Sequence, residues 1–170
     1  MRIILIGFMC SGKSSVAKIL ADRLCAPLLE MDQIILQRSG MSSIPEIFTA
    51  RGEVFFRELE SIVALECARV DPAVVSTGGG IIGNPLNLAA LREDNSLVVY
   101  LRTRLVTIIS RQEQQGQWSA RPLLSSKEKA SELYDSRLRA YEEAASLTID
   151  TDSSTPEEVA EQILQEVKER

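Results

Sequence analysis

Histidine is absent from the 170 residues, which excludes imidazole acid–base catalysis and histidine-ligated metal centres. Cysteine is scarce. Cys10, Cys25 and Cys67 are odd in number and widely spaced, which argues against a disulfide framework and for a reduced, cytoplasmic setting. No apolar run approaches the length of a membrane span, so a membrane partner is not expected. No basic start leads into a cleavable apolar segment, so no signal peptide is expected. No Lys/Arg cluster interrupts a formal net charge of −5, which argues against a nucleic-acid backbone as partner. Repeats, coiled-coil heptads and domain linkers are also missing, and one domain over residues 1–170 is expected.

What is present begins at the N-terminus. Gly7-Phe-Met-Cys-Ser-Gly12-Lys13-Ser14 satisfies G-x-x-x-x-G-K-[ST], the pattern of a phosphate-cradling loop. Ile3 to Ile6 before it reads as a buried parallel strand. Val16, Leu20 and Leu24, with Ile19, share one face of a helix after it. Gly7 and Gly12 let the backbone approach a polyphosphate, while Cys10, Ser11 and Ser15 complete the loop. Inward N–H groups and the helix N-terminus favour anions. Lys13 is expected at the β- and γ-phosphates and Ser14 on magnesium, so a nucleoside triphosphate with Mg2+ is the expected ligand. No Asn-Lys-x-Asp element is present, which disfavours a signalling GTPase.

Strand and helix patterns alternate along the chain, which predicts an α/β fold: a five-stranded, mainly parallel sheet with helices on both faces. Strands are expected at Ile3–Ile6, Leu28–Met31, Ala73–Ser76, Leu97–Leu101 and Leu147–Ile149. A long helix from Glu53 is expected, with Val54, Phe55, Leu59, Ile62, Val63 and Leu65 supplying its apolar faces. Ligands of such sheets bind beyond the strand C-termini. Glu30 and Asp32 stand at the end of the second strand, suited to hold magnesium or orient a hydroxyl, although Asp32 also suits a helix cap. Gly78-Gly79-Gly80 follows the third strand and implies backbone approaching a ligand. Arg57 and Arg137 are candidates for a planar grip on an anion, with Arg139 nearby, against ordinary helix surface. A polar, glycine-containing segment over about 112–124, flanked by Arg111 and carrying Arg121, is expected to be a mobile lid that excludes water. Trp118 within it is either a closure latch or a packed anchor.

In order and spacing, these segments resemble the shikimate kinase family of P-loop, nucleoside-monophosphate-kinase-like proteins. The resemblance rests on GFMCSGKSS, LLEMDQII, SIPEIF, RGEVFFRELE, STGGG, ARPLL, Arg137-x-x-x-Tyr141 and TDSSTPEEVA. It implies ATP-dependent phosphorylation of the 3-hydroxyl of shikimate, with magnesium. Under the resemblance Lys13, Asp32 and Arg121 are catalytic. Arg57, Arg137, Gly79 and Gly80 hold the substrate, Asp32 binds its hydroxyls, and Arg111 and Pro156 flank the adenine. A substrate-binding helical segment over about 32–60 and a monomeric state are expected. Two departures stand out: Glu30 where aspartate is usual, and Arg137-Leu-Arg139-Ala-Tyr141 where Arg-x-Pro-x-Tyr is common. A kinase of another small hydroxylated acid, or an ATP-binding regulator without turnover, are the alternatives.

Overall fold

A computed structural model of the chain describes residues 1–92, 95–114 and 127–170. Five strands, β1 (Arg2–Ile6), β2 (Leu28–Glu30), β3 (Ala73–Ser76), β4 (Ser96–Arg102) and β5 (Leu147–Asp150), form one sheet in the order β2-β3-β1-β4-β5. All four pairings are parallel. The expected second strand ends one residue early, because Met31 already begins a helix.

Between the strands lie α1 (Lys13–Leu24), α2 (Met31–Ser39), α3 (Ile44–Cys67), α4 (Pro85–Leu91), α5 (Leu105–Gln114) and α6 (Lys127–Ala144), and α7 (Pro156–Glu169) follows β5. A single 3-10 turn, Ile81–Gly83, follows β3 and was not anticipated. The two-residue period of β1 divides the core. Ile4 and Ile6 face a cluster with Met31, Ile35, Phe56, Val63 and Tyr141. Ile3 and Leu5 face another with Val16, Leu20, Val159 and Ile163. Helices therefore cover both faces, and the central strands β1, β3 and β4 bury both of their sides, while the edge strands β2 and β5 are partly exposed. At its start, buried Arg2 donates to the carbonyls of Ala68 (2.7 Å), Val70 (3.1 Å) and Leu91 (2.7 Å), tying β1 to the ends of α3 and α4.

Two expectations about helix faces need correction. Leu24 is exposed on α1, whose buried stripe is Val16, Ala17, Leu20 and Ala21. On α3 the inward stripe is Phe56, Glu60, Val63, Ala64 and Cys67, while Val54, Ile62 and Leu65 point to solvent. Apolar residues occupy more than one side of α3, so periodicity alone does not select the packed face. Gly52 interrupts that helix with φ 81° and ψ 171°, a backbone state strained for any residue with a Cβ. The chain thus enters the long segment from Glu53 in a new direction.

The lid was expected to begin at Gln112. Instead, Gln112 to Gln114 complete α5, and Gln112 is fully buried with its amide donating to the Met9 sulfur at 3.4 Å. Arg121, Trp118 and the rest of the expected lid fall outside the described residues.

Candidate active site

The parallel pairing of β1 with β3, Leu5 opposite Ser76, delivers two loops side by side. Thr77 seals them: its N–H and hydroxyl both donate to the Leu5 carbonyl, at 3.2 and 2.9 Å. Beyond β1, Gly7 has φ 146°, and a Cβ there would sit 2.7 Å from the Leu101 carbonyl oxygen. Gly12 takes φ 94°, and Cys10, unanticipated for a residue with a side chain, takes φ 58°. Lys13 is buried at the start of α1, its ammonium donating to the carbonyls of Gly7 and Phe8, both at 2.8 Å. The lysine charge is thus held against the loop's own backbone, at the mouth of a helix N-terminus.

A cavity of about 990 Å³ opens from this loop. Its walls bring together Cys10, Ser11, Gly12, Lys13, Ser14 and Ser15 with Glu30, Asp32, Arg57, Gly78, Gly79, Gly80, Arg111, Arg137 and Pro156. Gly7 lies directly behind, as backbone support for the loop. Every described residue assigned to the site from the sequence therefore converges on one region. Asp32 sits in the first turn of α2 rather than at its cap; the cap position belongs to Glu30, which makes no side-chain capping bond.

The three glycines fit what surrounds them. A Cβ on Gly78 would stand 2.8 Å from Asp32 Oδ1 and 3.2 Å from Glu60 Oε1, and one on Gly80 would overlap the Arg57 guanidinium. Gly79 lies against the phosphate loop, its would-be Cβ 3.4 Å from the Met9 nitrogen. Side chains here would displace the charged groups that the turn accommodates.

Arg57 is held by Glu60 at 2.9 Å and Glu53 at 3.1 Å, with Phe56 beneath its guanidinium. Glu60, a residue to which sequence reasoning gave no role, is 1% exposed, and its Oε1 has no hydrogen-bond partner among the described residues. Burial pushes its carboxyl above the usual range, while Arg57 pulls the other way. Burial disfavours the Arg57 cation, but Glu60 and Glu53 outweigh that and raise its pKa. The available signal was the spacing of Arg57 and Glu60, three apart on one helix face. From α6, Arg137 donates to the Gly79 carbonyl at 3.0 Å and lies over Phe8. Arg139 does not join it; that side chain is exposed and paired with Glu143 at 2.6 Å. Arg111 donates to the carbonyls of Cys10 (3.0 Å) and Thr151, bridging the phosphate loop to the entry of α7.

No group of three or more potential metal-ligating side chains occurs among the described residues. Magnesium fits such a site nonetheless, because it keeps waters and takes one or two protein oxygens plus phosphates. Ser14, Glu30 and Asp32 line the cavity and carry oxygens of the kind such a donor set needs.

A phosphate loop after the first strand of a parallel sheet, an acidic element and an arginine-lined acceptor cavity together define a P-loop small-molecule kinase. Comparison with known proteins narrows the class. Residues 9–168 match the shikimate kinase sequence family. A shikimate kinase of Enterococcus faecalis is 39% identical over 170 residues, covering 98% of each chain. One from Lactococcus lactis subsp. cremoris is 41% identical over 163 residues, covering 96% of each. Among solved structures, shikimate kinase from Acinetobacter baumannii in complex with shikimate superposes with a TM-score of 0.89 at 33% identity, covering 99% of this chain and 93% of that one. The chain belongs to the shikimate kinase family, and its activity is ATP-dependent phosphorylation of shikimate with magnesium.

Proposed function

We propose that the phosphoryl group is delivered to the 3-hydroxyl of shikimate, giving shikimate 3-phosphate and ADP, and that the cavity divides into donor and acceptor halves. The observation that carries this reading is the continuity of one cavity from Lys13 and Ser14 to Arg57 and Arg137. In the donor half, the loop N–H groups and Lys13 take the β- and γ-phosphates, and Arg111 and Pro156 flank the adenine. Magnesium, held by Ser14 with Glu30 acting through water, neutralises charge on the phosphates when bound.

In the acceptor half, Arg57 and Arg137 take the substrate carboxylate, since two guanidinium groups suit a planar anion. Backbone of Gly78, Gly79 and Gly80 forms the wall between them. Asp32 accepts a hydrogen bond from the reacting hydroxyl and takes its proton as the oxygen–phosphorus bond forms and the bond to the β-phosphate oxygen breaks. Arg121, from the sequence that follows α5, adds a cation to the transferring group. The substrate-binding segment is about 32–60, within a single domain of residues 1–170. The protein acts as a cytoplasmic monomer. Product analysis by phosphorus–proton NMR tests the regiochemistry: coupling to the proton on C3 is expected, and coupling to C4 or C5 protons would overturn it.

A further inference from the structure

The Gly79 carbonyl carries more than the donor and acceptor roles explain. It accepts from Arg137 Nη1 at 3.0 Å and also from the Tyr141 hydroxyl. Two donors use both lone pairs of this oxygen. Both come from α6, four residues apart and therefore one above the other on the same helix face. Tyr141 is 1% exposed, and its ring stacks on Tyr100 of β4, with centroids 5.1 Å apart and planes 15° from parallel. Tyr100 is itself buried in the middle of the sheet. The phenol is thus anchored to the buried centre of the sheet, with its oxygen aimed at a glycine turn that lacks side chains of its own to hold it.

We infer that Tyr141 is a positioning residue of the acceptor site: its hydroxyl pins the Gly79 carbonyl and thereby sets where Arg137 meets the substrate carboxylate. The inference rests on the assignment of Arg137 to that carboxylate. The geometry extends the effect in both directions. Gly79 abuts the phosphate loop at Met9 and Gly7, and its neighbour Gly80 lies against Arg57. One carbonyl therefore aligns the second clamp arginine with the donor loop, within the sub-ångström tolerance that in-line transfer requires. Burial pushes the phenol well above its ordinary range, so the hydroxyl remains a donor throughout the working pH. Tyr141 is not among the residues that line the cavity; it acts through Gly79 and Arg137.

Tyr141→Phe keeps the ring and its stacking and deletes only the hydroxyl. Loss of one hydrogen bond is expected to raise the shikimate KM by about three- to tenfold, with the ATP KM within about twofold and Tm shifted by no more than about 3 °C. In an Arg137→Ala background, the same change should add less than about twofold, because the two groups act as one unit. A shikimate KM unaltered by Tyr141→Phe overturns the inference, as does a parallel rise in both KM values with a large fall in Tm. The underlying assignment fails separately: if Arg137→Ala itself leaves the shikimate KM unchanged, Arg137 is not the carboxylate ligand.

Discussion

Arg57 is both a candidate carboxylate ligand and the cation that neutralises buried Glu60. These roles separate by substitution. Arg57→Ala leaves a buried carboxylate without its partner and should lower Tm as well as substrate binding. Arg57→Lys keeps a positive charge for Glu60 but loses the planar fork. For this variant a shikimate KM raised about tenfold is expected, with the ATP KM unchanged; steady-state kinetics with each substrate varied decide it, and equal rises in both would contradict the clamp.

Glu60 is expected to give the acceptor site a pH dependence. Burial raises its carboxyl above the ordinary glutamate value of 4.5, against the opposing pull of Arg57. Asp32 and Arg137 also bear on it, the first raising and the second lowering the value. A raised folded-state pKa contributes stability that is fully present below the unfolded value and lost as pH rises through the folded one. The ion pair with Arg57 has the opposite preference, since it needs the ionised form. On acidification through the raised range, the shikimate KM should therefore increase while this group does not lower Tm. Glu60→Gln should remove that acid limb; a limb that persists in Glu60→Gln belongs to another carboxylate.

Helix α7 shows how an element reaches the site. Thr155 and Glu158 form a reciprocal capping box, 3.2 Å from the Glu158 nitrogen to the threonine hydroxyl and 2.8 Å from the Thr155 nitrogen to the glutamate. Pro156, the next residue, lines the cavity. Thr155→Ala should cost about 1 kcal/mol, a fall in Tm of about 2–4 °C for a chain of this size. It should also raise the ATP KM more than that of shikimate. A calorimetric scan with unchanged Tm would show that packing of Val159 and Ile163 alone holds this end.

Elements differed in how far they could be read from residues alone. β1 and β4 were legible because strands buried on both faces leave unbroken apolar runs. The phosphate loop was legible because its function lies in contiguous backbone. The face of α3 was not, since Val54, Ile62 and Leu65 are apolar and exposed, while Glu60 is charged and buried. That inversion depends on Arg57 and on the packing of α3 against α2 and α4, which no periodicity contains. Strand order β2-β3-β1-β4-β5 was likewise beyond local pattern, because parallel pairing joins segments distant in sequence. The role of Tyr141 needed Tyr100 and Gly79 brought to it from two other elements.

At the scale of the whole molecule, the sheet assigns the chemistry. β1 and β3 are neighbours, so the phosphate loop and the glycine turn share an edge. β2 stands on the far side of β3, which brings Glu30 and Asp32 to the same rim. α3 and α6 then supply Arg57 and Arg137 beside the glycine turn. No helix among the described residues is long and apolar enough to cross a membrane. On the proposed reading, the two halves of the cavity operate as one transfer site. An ADP-release assay with ATP and magnesium, with and without shikimate, tests it most directly. Shikimate should accelerate ADP release by at least about tenfold, because a filled acceptor half places a hydroxyl where water would otherwise attack. Equal rates with and without shikimate would contradict it.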